Sequence, residues 1–146
     1  MKKNTIQAQF QMVDSAIKEF SLVCQKRILP EEKPVLNGRI GFRIIEITED
    51  ENNFIGRIEL LNDINLKVND EEKSQIHISL VGVFIGDKSF ESKEFEKMLK
   101  LNGATALSHS MRAYIQSVTA LSNIPPVIMP MINFVDFFKE RENEDM

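Results

Sequence analysis

The chain has 146 residues, 42% apolar and 27% charged, an ordinary globular composition and enough length for one domain, 1–146, with its own core. A net charge of -4 and a pI near 5.3, with Lys and Arg scattered and no basic cluster threaded by aromatics, exclude a dedicated nucleic-acid surface. Cys24 stands alone, so no internal disulfide forms, and no apolar run approaches the roughly 18 to 20 residues that a membrane span needs.

Met1-Lys2-Lys3-Asn4 opens as a signal peptide does, but Gln7, Gln9, Gln11 and Asp14 interrupt any apolar region behind it, so the chain reads as cytosolic. Ile6, Ala8, Phe10 and Met12 alternate with those glutamines, the period-2 pattern of a half-buried strand. A phase change near Asp14 to Ala16, as a bulge produces, leads into Ile17 through Cys24, which reads as a structural thiol buried in a strand. Gln25 to Asn37, with Pro30 and Pro34, is a crossing loop; its Ile28, Leu29, Val35 and Leu36 are unusually apolar for such a segment.

Arg39 to Thr48 is a second strand, and Glu49 to Asn53 the polar hairpin turn after it. The cleanest alternation follows. Phe54, Gly56, Ile58, Leu60, Asn62, Ile64, Leu66 and Val68 share one face, and Arg57, Glu59, Asp63, Asn65 and Lys67 the wet one. Asn69 to Lys73 turns the chain, and Gln75 to Ile85 returns with Ile76, Ile78, Leu80, Gly82 and Phe84 inward, giving a meander of antiparallel strands.

Helical periodicity begins after Gly86. Ser92 is placed to N-cap a short helix carrying Phe95, Met98 and Leu99, and Asn102-Gly103 to stop it. The main helix, Ala104 to Leu121, has Leu107, Met111, Tyr114, Ile115, Val118 and Leu121 as the stripe for the sheet. Ala106, Ser110, Ala113, Ser117 and Ala120 form a stripe of small residues, which either borders solvent or lets another helix approach closely in an oligomer. Phe134 to Arg141 is a short second helix, and 142–146 a charged tail.

No enzyme constellation is present: no glycine-rich phosphate loop, no HExxH, no CxxC, and hence no catalytic residue, metal or cofactor is expected. His77 lies on the wet face of a strand and His109 on the polar face of a helix, far apart in sequence and without ligand spacing. What stands out instead is Asn123 to Phe134. Three prolines fall within its residues 125–130, yet Ile124, Val127, Ile128, Met129, Met131, Ile132 and Phe134 are all large and apolar. With Phe138 they either pack on their own sheet or present an adaptable surface that another molecule covers.

Gly82-Val83-Phe84 closing the last strand, Leu107 with Arg112 and Ile115 in the helix, and above all the run from Ile124 to Phe134 resemble the bacterial export chaperone SecB, over about Thr5 to Phe138. The resemblance implies an α+β fold: a four-stranded antiparallel sheet with a long helix packed on one face and a short C-terminal helix. It further implies a homotetramer, a dimer of dimers with the long helices between the sheets, and ATP-independent capture of unfolded polypeptide. The peptide groove would be built from Phe42, Ile44, Ile124, Val127, Ile128, Met129, Phe134 and Phe138. The chain departs from the family in Ser108-His109-Ser110, where Phe-Pro-Tyr is usual. Of the acids with which SecB proteins meet the SecA motor, Glu19 matches one, while Val23 and His77 occupy the other positions. The function implied is that of a holdase in protein export, with the guarding of an antitoxin in a toxin-antitoxin system as the alternative. From outside the family, a small apolar-ligand or lipid carrier would instead show a closed cavity, and a structural subunit a fixed partner over the loop.

Overall fold

Alternating apolar and polar side chains build four long strands: β1 (Phe10–Cys24), β2 (Val35–Glu49), β3 (Asn53–Val68) and β4 (Glu71–Asp87). The computed structural model describes residues 9–122 and 127–144. The sheet is antiparallel throughout, in the order β1-β4-β3-β2. Strands β2 to β4 form the expected meander, but β1 pairs with β4 and not with its sequence neighbour. The 25–34 segment therefore crosses two strands, hydrogen-bonds to Lys73 O through Gln25 N and Lys26 N, and sets Ile28 into the core.

The phase change in β1 is real and double, with register shifts between Met12 and Asp14 and between Ile17 and Glu19. Several boundaries move. Val35 and Leu36 belong to β2, paired with Lys67 and Leu66, because the β2–β3 ladder runs longer than the alternation in β2 implies. The β3–β4 turn shrinks to Asn69-Asp70, whose φ angles of 53° and 64° are those of a two-residue hairpin turn; Asn and Asp tolerate them best after Gly. Cys24 is exposed, contrary to expectation, since it ends an edge strand beyond the reach of the helices.

Three helical pieces cover the inner face: α1 (Ser92–Met98), a π-helical turn (Leu99–Gly103) and α2 (Ala104–Leu121). The N-cap is Glu91, whose backbone is extended, and Ser92 is already helical. Asn102-Gly103 is no stop: Gly103 keeps right-handed helical angles, and a Cβ there would sit 3.0 Å from Ile58 Cδ1. Its small size brings the helix close to the sheet, and the widened turn carries the chain straight into α2. On α2 the buried face is Ala104, Leu107, Ser108, Met111, Ile115 and Thr119, so Tyr114 and Leu121 point to solvent and two polar residues take their place. Ser108 and Thr119 tolerate burial because their hydroxyls donate to the helix's own carbonyls, Thr105 O and Ile115 O, both at 2.8 Å. Helix α3 (Phe134–Glu144) runs past Arg141 and absorbs the start of the expected tail. No helix among the described residues is long and apolar enough to cross a membrane.

The outer face of the sheet holds one departure from simple alternation. Glu59 is buried there, with Ser79 Oγ donating at 2.7 Å, Arg43 Nη2 at 2.8 Å and Lys18 Nζ at 3.0 Å. One carboxylate thus ties β3 to all three other strands. The Ser79 hydrogen bond, opposed by burial and helped by Lys18 and Arg43, holds its pKa at about 2 against an ordinary 4.5. A depressed carboxyl pKa contributes stability that is present above the unfolded value and lost as pH falls from about 4.5 toward 2. The shift corresponds to at most about 3 kcal/mol, and half-exposed Lys18 and Arg43 reduce this through solvent screening. Glu59→Gln should therefore lower stability by about 1 to 2 kcal/mol at pH 7 and flatten the loss between pH 4.5 and 2, as read by urea unfolding. Equal stability at pH 7 with an unchanged acid limb contradicts the clamp.

Candidate functional site

The aromatic residues of α3 recur at i, i+3 and i+4, and this spacing seats the helix on the β2 edge. Phe134 is buried, Phe137 packs edge-on against it at 5.8 Å, and Phe138 meets Phe42 of β2 edge-on at 5.0 Å. Arg141 lies over the Phe137 ring at 5.2 Å and donates from Nη1 to Phe42 O at 3.3 Å.

The stretch from Val127 leading into α3 is held by polar anchors. Thr119 Oγ1 accepts Val127 N–H at 2.8 Å, Arg112 Nε donates to Met129 O at 2.8 Å, and Asn62 Nδ2 donates to Met129 Sδ at 2.9 Å. Side chains alternate from Val127 to Pro130 as in a strand, with Val127 and Met129 in the core and Ile128 60% exposed, and the alternation ends at Met131, which stands out at 74%. Pro130 has no N–H to satisfy, so the loop needs few anchors.

Two openings flank Phe138. One, of about 300 Å³, is lined by Phe42, Ile44 and Arg141. The other, of about 630 Å³, lies between α3 and the α1–π-turn segment, with Leu101, Val135 and Phe138 as apolar lining. Both open to solvent and share Lys100 and Glu142, so they read as one groove astride an aromatic ridge.

No family model matches the chain, and no curated protein matches it in sequence. Among solved structures, the SecB-like chaperone Rv1957 of Mycobacterium tuberculosis, in complex with a peptide from the HigA1 antitoxin, superposes with a TM-score of 0.59 at 16% identity, covering 85% of this chain and 91% of that one. The fold is SecB-like. A Streptococcus agalactiae protein of unknown function matches more loosely, with a TM-score of 0.44 at 14% identity over 83% of this chain and 96% of that one.

On this SecB-like frame the expected groove residues separate. Phe42, Ile44 and Phe138 come together at the groove, and Ile128 stands exposed on the loop. Val127, Met129 and Phe134 lie in the core of the chain, and Ile124 lies outside the described residues. Lys100, Leu101 and Val135 escaped the sequence reading. The first two depend on the π turn, which no residue pattern announced, whereas Val135, Phe138, Lys139 and Glu142 make an i, i+3, i+4, i+7 stripe that becomes legible once α3 continues beyond Arg141.

Along the small-residue stripe of α2, Ala106 and Ser110 are half-buried, and Ala113, Ser117 and Ala120 are exposed beside Tyr114 and Leu121. On the outer face Glu19 reaches His77 Nε2 at 3.1 Å, and Asp63 bonds the other ring nitrogen. The Asp63 hydrogen bond, opposed by burial and reinforced by Glu19, keeps the imidazole protonated above its ordinary range.

Thr119 is the anchor whose removal is cleanest, because valine keeps its shape. Thr119→Val leaves the buried Val127 N–H without its acceptor and should cost about 1 to 3 kcal/mol, read as a lower urea midpoint at unchanged slope. Unchanged stability would show that the loop does not depend on this bond.

Proposed function

We propose that the protein is a non-enzymatic, ATP-independent holdase chaperone that captures unfolded polypeptide in the groove astride Phe138. The observation that carries this reading is the shape of that groove: two solvent-open channels that meet at Phe138, the larger mostly apolar and the smaller lined by Phe42 and Ile44 of the edge strand β2. An extended segment can lie along such a path, its side chains filling the openings and its backbone meeting the sheet edge. A small apolar-ligand carrier would need an enclosed cavity, and neither opening is one. Affinity spread over several weak apolar contacts suits many clients.

The neighbouring mycobacterial SecB-like chaperone holds an antitoxin peptide, which supports an antitoxin segment as one client. In the export role SecA would dock on the outer sheet face, where Glu19 is the one matching acid and is engaged by His77. We favour client capture without commitment to SecA delivery, in the cytoplasm.

Addition of the protein should suppress light scattering of a refolding, aggregation-prone client, and ATP should change nothing. Phe138→Ser should at least halve the protection while circular dichroism stays native, since a Phe side chain contributes about 1.5 to 3 kcal/mol of burial. Full protection by the folded variant would remove Phe138 from the groove.

The exposed small stripe supports a homotetramer assembled as a dimer of dimers through α2. Ala113→Glu, on an exposed position of the free protomer, should leave folding intact and split the tetramer seen by native mass spectrometry, because overpacking a tight contact costs about 1 to 3 kcal/mol per site. A wild-type monomer at micromolar concentration overturns this assembly.

A further inference from the structure

The chain is acidic overall, at -4, yet the groove is not. Lys93, Lys97, Lys100, Lys139, Arg43 and Arg141 line its two openings. Only Glu96 and Glu142 oppose them there, and since the Arg43 guanidinium is turned to Glu59 on the outer face, at 2.8 Å, five cations less two acids leave a local charge of +3. Part of that charge is already used, as Lys100 lies 3.8 Å from Glu96. Lys93, Lys97 and Lys139 form no ion pair among the described residues, and they ring the larger opening. Leu101, Val135 and Phe138 lie within that ring, so apolar surface is framed by positive charge.

We propose that the groove selects extended segments in which apolar side chains alternate with Asp and Glu. In an extended segment alternate side chains point to opposite sides, so one set can fill the apolar lining while the other set reaches the lysines on the rim. Long lysine stems follow such a segment at little cost, their methylenes on its apolar side chains and their ammonium groups in water. Charge complementarity of this kind raises the association rate and rejects basic competitors more than it adds raw affinity. The edge position of β2 favours a peptide over an anionic amphiphile, because a peptide alone can use the outward backbone groups of an edge strand, Phe42 O excepted, which already accepts from Arg141.

This selectivity rests on the groove being a client site, and the test separates the two. Three fluorescent peptides of equal length share one apolar pattern and carry Glu, Lys or Gln at the alternating positions; their anisotropy is titrated with the intact protein, with dodecanoate as a separate competitor. The Glu peptide should bind about tenfold tighter than the Lys peptide at low salt, and the gap should close as NaCl rises from about 0.02 M to about 0.5 M. The variant Lys93→Glu/Lys97→Glu/Lys139→Glu, altered only at exposed helical positions, should reverse the order. If all three peptides bind equally, or if the triple variant keeps the wild-type order, the charge selectivity is overturned while client capture stands. Failure of every peptide to bind overturns both readings, and dodecanoate binding without any peptide binding replaces them with a carrier of anionic amphiphiles.

Discussion

The structure depends on how closely its helical layer approaches the sheet. A Cβ on Gly56 would fall 2.5 Å from Leu99 Cδ1, and one on Gly86 2.5 Å from Phe95 Cδ1. Both distances are too short for any side chain, so Leu99 and Phe95 rest on bare backbone. The seat of these two residues fixes the height of α1 and of the π turn above the sheet, and with it the position of Lys100 and Leu101 on the groove wall. Phe95 also meets Phe54 at 5.3 Å and Phe10 at 5.9 Å, which extends the same contact across β3 and β1. A larger residue at either glycine would lift the helices and widen the groove before it touched any groove residue.

From that layer outward, polar groups do the positioning. The greasy loop at Val127 stays in place through Thr119, Arg112 and Asn62, each of which uses a side chain to satisfy a backbone or sulfur partner that β-ladders and helices do not reach. Two of the three are buried, so solvent does not compete for their bonds. The apolar residues of the loop then face two ways: those beside the anchors complete the core, and those between and after them, Ile128 and Met131, stay outside. Half of the loop's hydrophobicity is spent on the fold, which is why composition alone left its role undecided.

Periodicity made most of the architecture legible. The single alternation from Phe54 to Val68 placed β3 with its buried face correct at every even position, and the bounds of α2 agree with the apolar and small stripes. The misreadings share a cause: each lies where a tertiary contact overrides a local signal. Asn102-Gly103 has the composition of a helix stop, but Ile58 beneath Gly103 requires a small residue there whatever follows. Glu59 carries the charge of a wet-face residue and is buried because Lys18, Arg43 and Ser79 converge on it from three strands, a coincidence that no single segment reveals. Tyr114 and Leu121 fit an apolar stripe by spacing, yet the helix turns Ser108 and Thr119 inward, since a hydroxyl that can bond its own helix is as buriable as a methyl. The groove was legible only in its aromatic half, since Leu101 and Lys100 depend on the π turn and the lysine rim on three elements far apart in sequence.

The two faces of the sheet divide charge in opposite ways, and the division bears on which partners each can meet. On the outer face the acids are largely spent within the protein. Glu59 serves as a cross-strand clamp, and Glu19 and Asp63 share one histidine between β1 and β3. A basic partner approaching there must compete with His77, whose ring nitrogens already engage the carboxylates such a partner would seek, so the gain in Coulomb energy is offset by hydrogen bonds already made. On the groove side it is the cations that are unspent, and an acidic segment entering there displaces no existing ion pair at Lys93, Lys97 or Lys139. Opposite charges therefore have opposite access to the two faces, a polarity set by which side chains the sheet and the helices have already used.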